Sequence, residues 1–274
     1  EVGATNLIRA LELCHQAVRL DPAYGEAWKQ QGRILMLLQR APEAADSFRP
    51  AALLRPDDPE LSLWRKHLLV DLGRYRELAD QMRRQSDAEL AAVDHHLMSR
   101  MLAALLEASD TNAVAELATR RARASTNAQE RAASDALVDL MHQKTESAAR
   151  TLDGLDRSKT STNHVVALAF EQLGVTLMKE RDSVRAQAAF TAALAHHPDR
   201  LSTLRELGWC QREARQPELA ISTWQRGIAM SPSAIGWSAW VADTQLQLGQ
   251  AERAQQSADY LLATQPDHEL ARRL

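Results

Sequence analysis

Five prolines in this chain close the same short phrase, most of them at one fixed interval. Pro22 and Pro56 lie 34 residues apart, as do Pro198 and Pro232, and Pro232 and Pro266. Around them the chain reads LDPAYGEAW, LRPDDPELS, HHPDRLSTL, MSPSAIGWS and TQPDHELAR. A period of this size is the mark of stacked repeats, each repeat being one supersecondary unit. Proline suits the junctions because it cannot continue the preceding helix, so the chain turns before the next one starts. Ala, Leu, Gln, Arg and Glu crowd every stretch, β-branched runs are nearly absent, and Gly (10) and Pro (9) are sparse for 274 residues. Those are strong helix formers, and the expected class is all-α.

Small and large residues recur between the prolines. In 23–56 they are Trp28, Gly32, Leu35, Ala44, Phe48 and Ala51; in 165–198, Phe170, Leu173, Gly174, Leu177, Ala186, Phe190 and Ala193. In 199–232 they are Leu204, Leu207, Gly208, Ala220, Trp224 and Gly227, and in 233–266 the set thins to Val241, Gly249, Ala254 and Leu261. Gly and Ala at fixed points let two antiparallel helices approach closely, while the large residues fill the gap to the next pair. No single pair can bury its apolar face, so the units must stack. Trp28 and Trp224 are expected in the core, and Trp237 and Trp240, three residues apart, are expected to pack onto the previous unit.

The spacing W-x2-L-G-x2-Y…A-x3-F…P resembles the tetratricopeptide repeat family. The resemblance implies a right-handed superhelical solenoid of tandem antiparallel helix pairs, one domain over 1–274. Its parts would be a half repeat at 5–22, repeats at 23–56 and 57–90, degenerate repeats over 91–164, repeats at 165–198, 199–232 and 233–266, and the start of a helix at 267–274. Pro56 to Pro198 is 142 residues, four periods of 34 and six more. Helix pairs fit there as 59–72 with 75–85, 88–107 with 112–123, 127–142 with 145–154, and 162–180 with 183–196. Gly154 and Ser158–Asn163 would carry the surplus. Both ends stop in mid-repeat, which suggests a segment of a longer protein, and the Ala/Arg/Gln-rich repeats resemble bacterial ones.

Chemistry is hard to place on this sequence. It holds no glycine-rich phosphate loop, no H-E-x-x-H, no G-x-S-x-G and no Cys cluster, so neither a catalytic site nor a cofactor or metal is expected. The neighbours His95-His96 and His196-His197 point to different helix faces and chelate poorly. Cys14 and Cys210 sit in no metal or redox spacing and read as small buried hydrophobes. A net charge of −3 and a pI near 6.3 give no general pull towards nucleic acid, and Arg83-Arg84, Arg120, Arg121 and Arg123 read as solvated faces. No apolar run approaches the roughly 18 residues of a membrane helix, so direct membrane insertion is not expected.

By the family resemblance, fixed positions on each first helix face a ligand in a concave groove. The second, fifth, ninth, twelfth and thirteenth positions give Glu26, Lys29, Arg33, Met36 and Leu37 in the first full repeat. They give Leu63, His67 and Val70 in the second, and Glu171, Val175, Met178 and Lys179 in 165–198. In 199–232 they give Ser202, Arg205, Trp209, Arg212 and Glu213, and in 233–266 Asp243, Leu246 and Gln247. Lys29 matches a carboxylate-clamp lysine of the co-chaperone branch, but Arg33 stands where that branch has Asn, so a chaperone-tail clamp is not expected. Arg205, Trp209 and Arg212 form an aromatic flanked by guanidinium groups, the kind of anchor found at binding hot spots. The alternative is that Trp209 packs against a neighbouring helix while the arginines snorkel.

The expected function is a non-catalytic scaffold that binds a protein or peptide within a larger assembly, for instance bacterial polysaccharide export or pilus assembly, with the periplasm slightly favoured over the cytoplasm. Alternatives are an accessory domain of an enzyme whose catalytic part lies elsewhere, or an architectural module that assembles copies of the chain.

Overall fold

The computed structural model describes residues 2–155 and 162–273. Among them lie seventeen α-helices and no strand. In chain order these are α1 (Val2–Leu20), α2 (Gly25–Leu37), α3 (Ala41–Leu54), α4 (Pro59–Asp71), α5 (Tyr75–Arg83), α6 (Asp87–Ala91), α7 (His95–Glu107), α8 (Thr111–Ala124) and α9 (Ala128–Met141). There follow α10 (Thr145–Asp153), α11 (His164–Lys179), α12 (Ser183–His196), α13 (Leu201–Glu213), α14 (Pro217–Met230), α15 (Ser238–Gln247), α16 (Ala251–Thr264) and α17 (Glu269–Arg273), with a 3-10 turn at Pro232–Trp237 before α15. The contacts group the chain into two units, Glu1–Ser86 with Arg100–Ala113, and Asp87–Ser99 with Val114–Leu274.

One turn chemistry joins the two helices of each pair. Gln39, Gly73, Ser109, Gln143, Arg181, Arg215 and Gly249 all have φ between 57° and 73°. The amide after each reaches back five residues: Arg40 to Leu35 O, Arg74 to Leu69 O, Asp110 to Leu105 O, Lys144 to Asp139 O, Asp182 to Leu177 O, Gln216 to Gln211 O and Gln250 to Gln245 O. This is the Schellman closure, in which a left-handed residue turns the chain and satisfies orphan carbonyls. Five of the seven residues are not glycine, so the turn is held by the packing of the helix pair against a local cost of roughly 1–2 kcal/mol each.

Within a pair the helices touch through a glycine and an aromatic ring. A Cβ on Gly32 would sit 2.4 Å from Phe48 Cε1, one on Gly174 2.6 Å from Phe190 Cε1, and one on Gly208 2.2 Å from Trp224 Nε1. All three rings are fully buried, so α2 on α3, α11 on α12 and α13 on α14 are locked by the same joint. Trp28 departs from expectation: it is half-buried, and its Nε1 donates to Pro22 O at 3.0 Å across the preceding turn. Trp237 packs on Gly227, where a Cβ would come within 2.3 Å of the ring.

One local reading changes. The expected helix 88–107 is broken, because Asp94 Oδ1 accepts from the amides of His96 (2.9 Å) and Leu97 (3.0 Å) and starts a new helix at His95. A side chain that satisfies two orphan amides competes with helix continuation. Asn163 caps α11 in the same way, through Val165 and Val166. The surplus residues expected at Ser158–Asn163 fall mostly on 156–161, outside the described residues.

Candidate partner-binding face

In two repeats the fifth position, expected to face a ligand, is turned to another use. Lys29 is buried, and its Nζ donates to Asp58 Oδ2 (2.8 Å) and Glu60 Oε2 (2.9 Å), 29 and 31 residues ahead at the start of α4. Glu171 holds the same place in its own repeat and is also buried. Its Oε2 accepts from Arg200 Nε (2.5 Å) and Ser202 Oγ (2.9 Å), again 29 and 31 residues ahead, and from Thr203 Oγ1. One joint is thus built twice with the charges exchanged, tying a first helix to the next first helix. The Asp58 hydrogen bond leads in raising the Lys29 ammonium above its usual range, while burial opposes it. Asp58 is held below the carboxylate range: burial pushes it up, but Lys29 and the Leu61 amide outweigh burial. A buried charge pair stabilises little on balance, yet removing one partner costs several kcal/mol. Lys29 and Glu171 therefore couple repeats and are not offered to a ligand.

The later positions stay open. Arg33 is exposed, with its guanidinium carbon 5.9 Å above the Trp64 ring, a cation–π geometry. Met36 and Leu37 are 39% and 61% exposed, and Leu63, at the fifth position of its own repeat, is 41% exposed. His67 Nδ1 lies 3.5 Å from Arg100 Nη1, while Arg100 Nη2 pairs with Asp71. The twelfth position carries a large apolar side chain in four of the five repeats named above, Met36, Val70, Met178 and Leu246, and none of these is buried. Arg212 fills it in the fifth.

Around Trp209 the packing alternative prevails over a free anchor. Its ring lies 5.3 Å from Trp224 and 5.2 Å from Trp240, and Trp240 stacks on Trp237 at 5.9 Å. Arg212 lies over Trp209 at 5.2 Å, and its Nη2 meets Asp243 Oδ2 at 2.8 Å, an oxygen also held by Gln247 Nε2 at 3.1 Å. Arg205 instead pairs with its neighbour Glu206 at 2.9 Å and stays exposed. The expected sandwich is therefore one-sided: Arg212 and Asp243 brace the tryptophan cluster, whereas Arg205 and Leu246 remain at the surface. Trp240 packs onto the previous unit as expected, whereas Trp64 was missed as a member of this face, because the ring that meets Arg33 belongs to the following repeat.

A tetratricopeptide repeat model matches residues 2–59 and 172–235. No curated protein sequence matches the chain. A tetratricopeptide repeat protein from Parabacteroides merdae ATCC 43184 is 13% identical with a TM-score of 0.53, over 84% of this chain and 89% of that one. The Cut9–Hcn1 hetero-tetramer of APC/C is 14% identical with a TM-score of 0.48, over 97% of this chain but 44% of that one, so the chain spans less than half of that length. YrrB, a tetratricopeptide repeat protein with an unusual peptide-binding site, is 14% identical with a TM-score of 0.40, over 96% and 97%. The Parabacteroides likeness shows the fold. The chain is thus an all-α series of tandem antiparallel helix pairs that is similar to tetratricopeptide repeats over residues 2–59 and 172–235.

Proposed function

We propose that this chain is a non-catalytic scaffold that holds protein or peptide segments on the first helices of its repeats, within a larger assembly. The observation that carries the reading is the twelfth position: Met36, Val70, Met178 and Leu246 are apolar yet unburied. Apolar side chains left out of the core at one repeat position are what a partner would cover. Arg33 and Arg205, exposed beside such positions, would add selectivity for acidic or aromatic groups. YrrB, a protein of the same fold class, is described with a peptide-binding site. The Ala/Arg/Gln-rich composition resembles that of bacterial repeats and favours an envelope assembly as the setting. The test is crosslinking mass spectrometry on affinity-captured complexes, with wild type beside Met36→Ser/Leu37→Ser/Leu63→Ser/Leu246→Ser. Partner crosslinks should fall on α2, α4, α13 and α15 and vanish in the variant. Crosslinks confined to second helices would overturn the reading.

A second reading, assembly of copies of the chain, draws on a different surface. Leu53, Val184, Leu219 and Tyr260 lie on second helices and are 66%, 78%, 51% and 55% exposed. Sedimentation of Val184→Glu/Leu219→Glu beside wild type decides it: a change of mass supports self-association, and an unchanged monomer removes it.

A further inference from the structure

Repeats of this kind touch their neighbours, and most long-range bonds in this chain span about one period. One site in the second unit breaks that rule. His95 and His96 at the start of α7 meet His164 at the start of α11 and His197 just after α12. The His164 ring lies 5.2 Å from His95, stacked, and 4.9 Å from His96 and 4.1 Å from His197, both edge-on. His164 Nδ1 and His197 Nδ1 are 3.0 Å apart. Beside them Arg200 Nη1 reaches Ser99 Oγ at 3.4 Å across 101 residues of sequence, and Ser99 is buried.

The two facing ring nitrogens constrain the protonation state. A bond between two Nδ1 atoms needs one N–H and one bare lone pair. A doubly protonated pair would set two donors against each other at that distance. The surrounding charge has a consistent sign close in: His95 and His96 from α7 and Arg200 from the turn before α13 all disfavour further protons. Asp94, Asp199 and Glu171 are the nearby acids, and two of them are committed, Asp94 to the amides of His96 and Leu97 and Glu171 to Arg200, Ser202 and Thr203. The rings pack on one another instead of converging on a point, and among the described residues no group of three or more His, Cys, Asp or Glu is arranged to hold a metal ion.

We propose that the four imidazoles form an acid-released clasp: held neutral, they fasten His95–Ser99 to the start of α11 and the α12–α13 turn, and protonation unfastens that segment. The charge of Arg200 and of the neighbouring rings bears on His164 and His197, and once both carry protons the Nδ1–Nδ1 bond is lost. The electrostatic surroundings agree with the geometry. Burial first, then His197, His96, His95 and Arg200, push His164 down from 6.5 to about 4. Burial and Arg200 also lower His197, with Asp199 and Glu171 opposing. Folded His164 thus takes its proton later than a released one, so the clasp is whole above about 6.5 and is lost as pH falls towards about 4.

The test is amide hydrogen exchange on the whole chain at about pH 7.5 and about pH 5, corrected for intrinsic rates. Peptides over 95–99, 163–167 and 197–200 should lose protection by ~10-fold or more at the lower pH, while α13 and α14 keep theirs. His164→Asn, whose amide can still meet His197 Nδ1 but gains no charge, should flatten the dependence; exposed His142→Asn should not. If His164→Asn fails to fold, imidazole NMR of the wild type decides: a His164 midpoint near or above 6.5 overturns the proposal, one well below supports it. Equal protection at both pH values, or loss spread evenly over the unit, overturns it. So does zinc chloride that protects the same segments at neutral pH, which would make the cluster a metal site.

Discussion

The glycine-to-ring joint between α11 and α12 makes a prediction whose sign reverses with background. A methyl at position 174 would stand 2.6 Å from Phe190 Cε1 and 2.8 Å from Cδ1 and Cζ, and the ring is fully buried and cannot swing away. Gly174→Ala therefore overpacks the joint, at ~1–3 kcal/mol. Ala gains ~1 kcal/mol over Gly in a helix interior. The net should be a loss of ~0–2 kcal/mol. Phe190→Ala removes the ring and should cost ~3–5 kcal/mol as transfer and cavity terms combine. In that background the Gly174→Ala methyl meets no ring, fills part of the void and keeps its helix gain. There it should stabilise, by ~1 kcal/mol. The cycle thus has a coupling of ~1–3 kcal/mol, well outside the ~0.3–0.5 kcal/mol scatter of independent sites. Urea unfolding followed by circular dichroism reads it: with a slope of ~1–3 kcal/mol per molar, 1 kcal/mol moves the midpoint by ~0.3–1 M. Because repeat arrays can melt in steps, exchange of the α11 amides should show the same reversal. If Gly174→Ala has the same effect with and without the ring, the joint is not a contact and the argument fails.

Glu171→Ala should destabilise by ~1–3 kcal/mol, because buried Thr203 and half-buried Arg200 and Ser202 then lose their shared acceptor; a Tm within a degree of wild type would show the pair to be solvent-exposed. Lys29→Ala should lower stability while leaving partner crosslinks on α2 and α4 in place at a permissive temperature; their loss would return Lys29 to the binding face. Arg121 bonds Glu130 through Nε (3.0 Å) and Nη2 (2.8 Å) and the carbonyls of Leu90 and Ala91, all inside the second unit. Arg121→Ala should cost ~3–5 kcal/mol, with Arg123→Ala as a near-neutral control in the same melting experiment. Cys210 is fully buried, donates to Ser183 O at 3.3 Å, and burial pushes its thiol up to about 11. At pH 8 roughly a thousandth of it is thiolate, so iodoacetamide should label half-buried Cys14 first in a peptide-mapped time course; equal rates would refute the burial.

Parts of the candidate face were legible and parts were not, for a reason visible at single residues. Met36, Leu37, Leu63 and Leu246 could be placed because their exposure follows from position in the period. Lys29 and Glu171 stand at one such position too, but their fate depends on what the next repeat offers, Asp58 and Glu60 in one case and Arg200 and Ser202 in the other. Trp209 reads as an anchor from its own helix; the ring of Trp240 on another helix turns it into packing. His95-His96 was judged on its own helix, where adjacent side chains diverge, and that judgement could not see His164 arriving from outside.

The sequence by itself determined the helices, their pairing and the repeat, because those rest on local terms: proline at the junctions, glycine facing an aromatic, and apolar residues at helical spacing. It also placed Gly249 among the recurring small residues. Only the tertiary structure decided that Gln39, Ser109, Gln143, Arg181 and Arg215 adopt the same left-handed turn, since packing of the helix pair overrides a local preference of about 1–2 kcal/mol. It alone decided the clasp as well. A contact that skips repeats, such as Ser99 with Arg200, has no period to announce it and exists only once the intervening helices have packed.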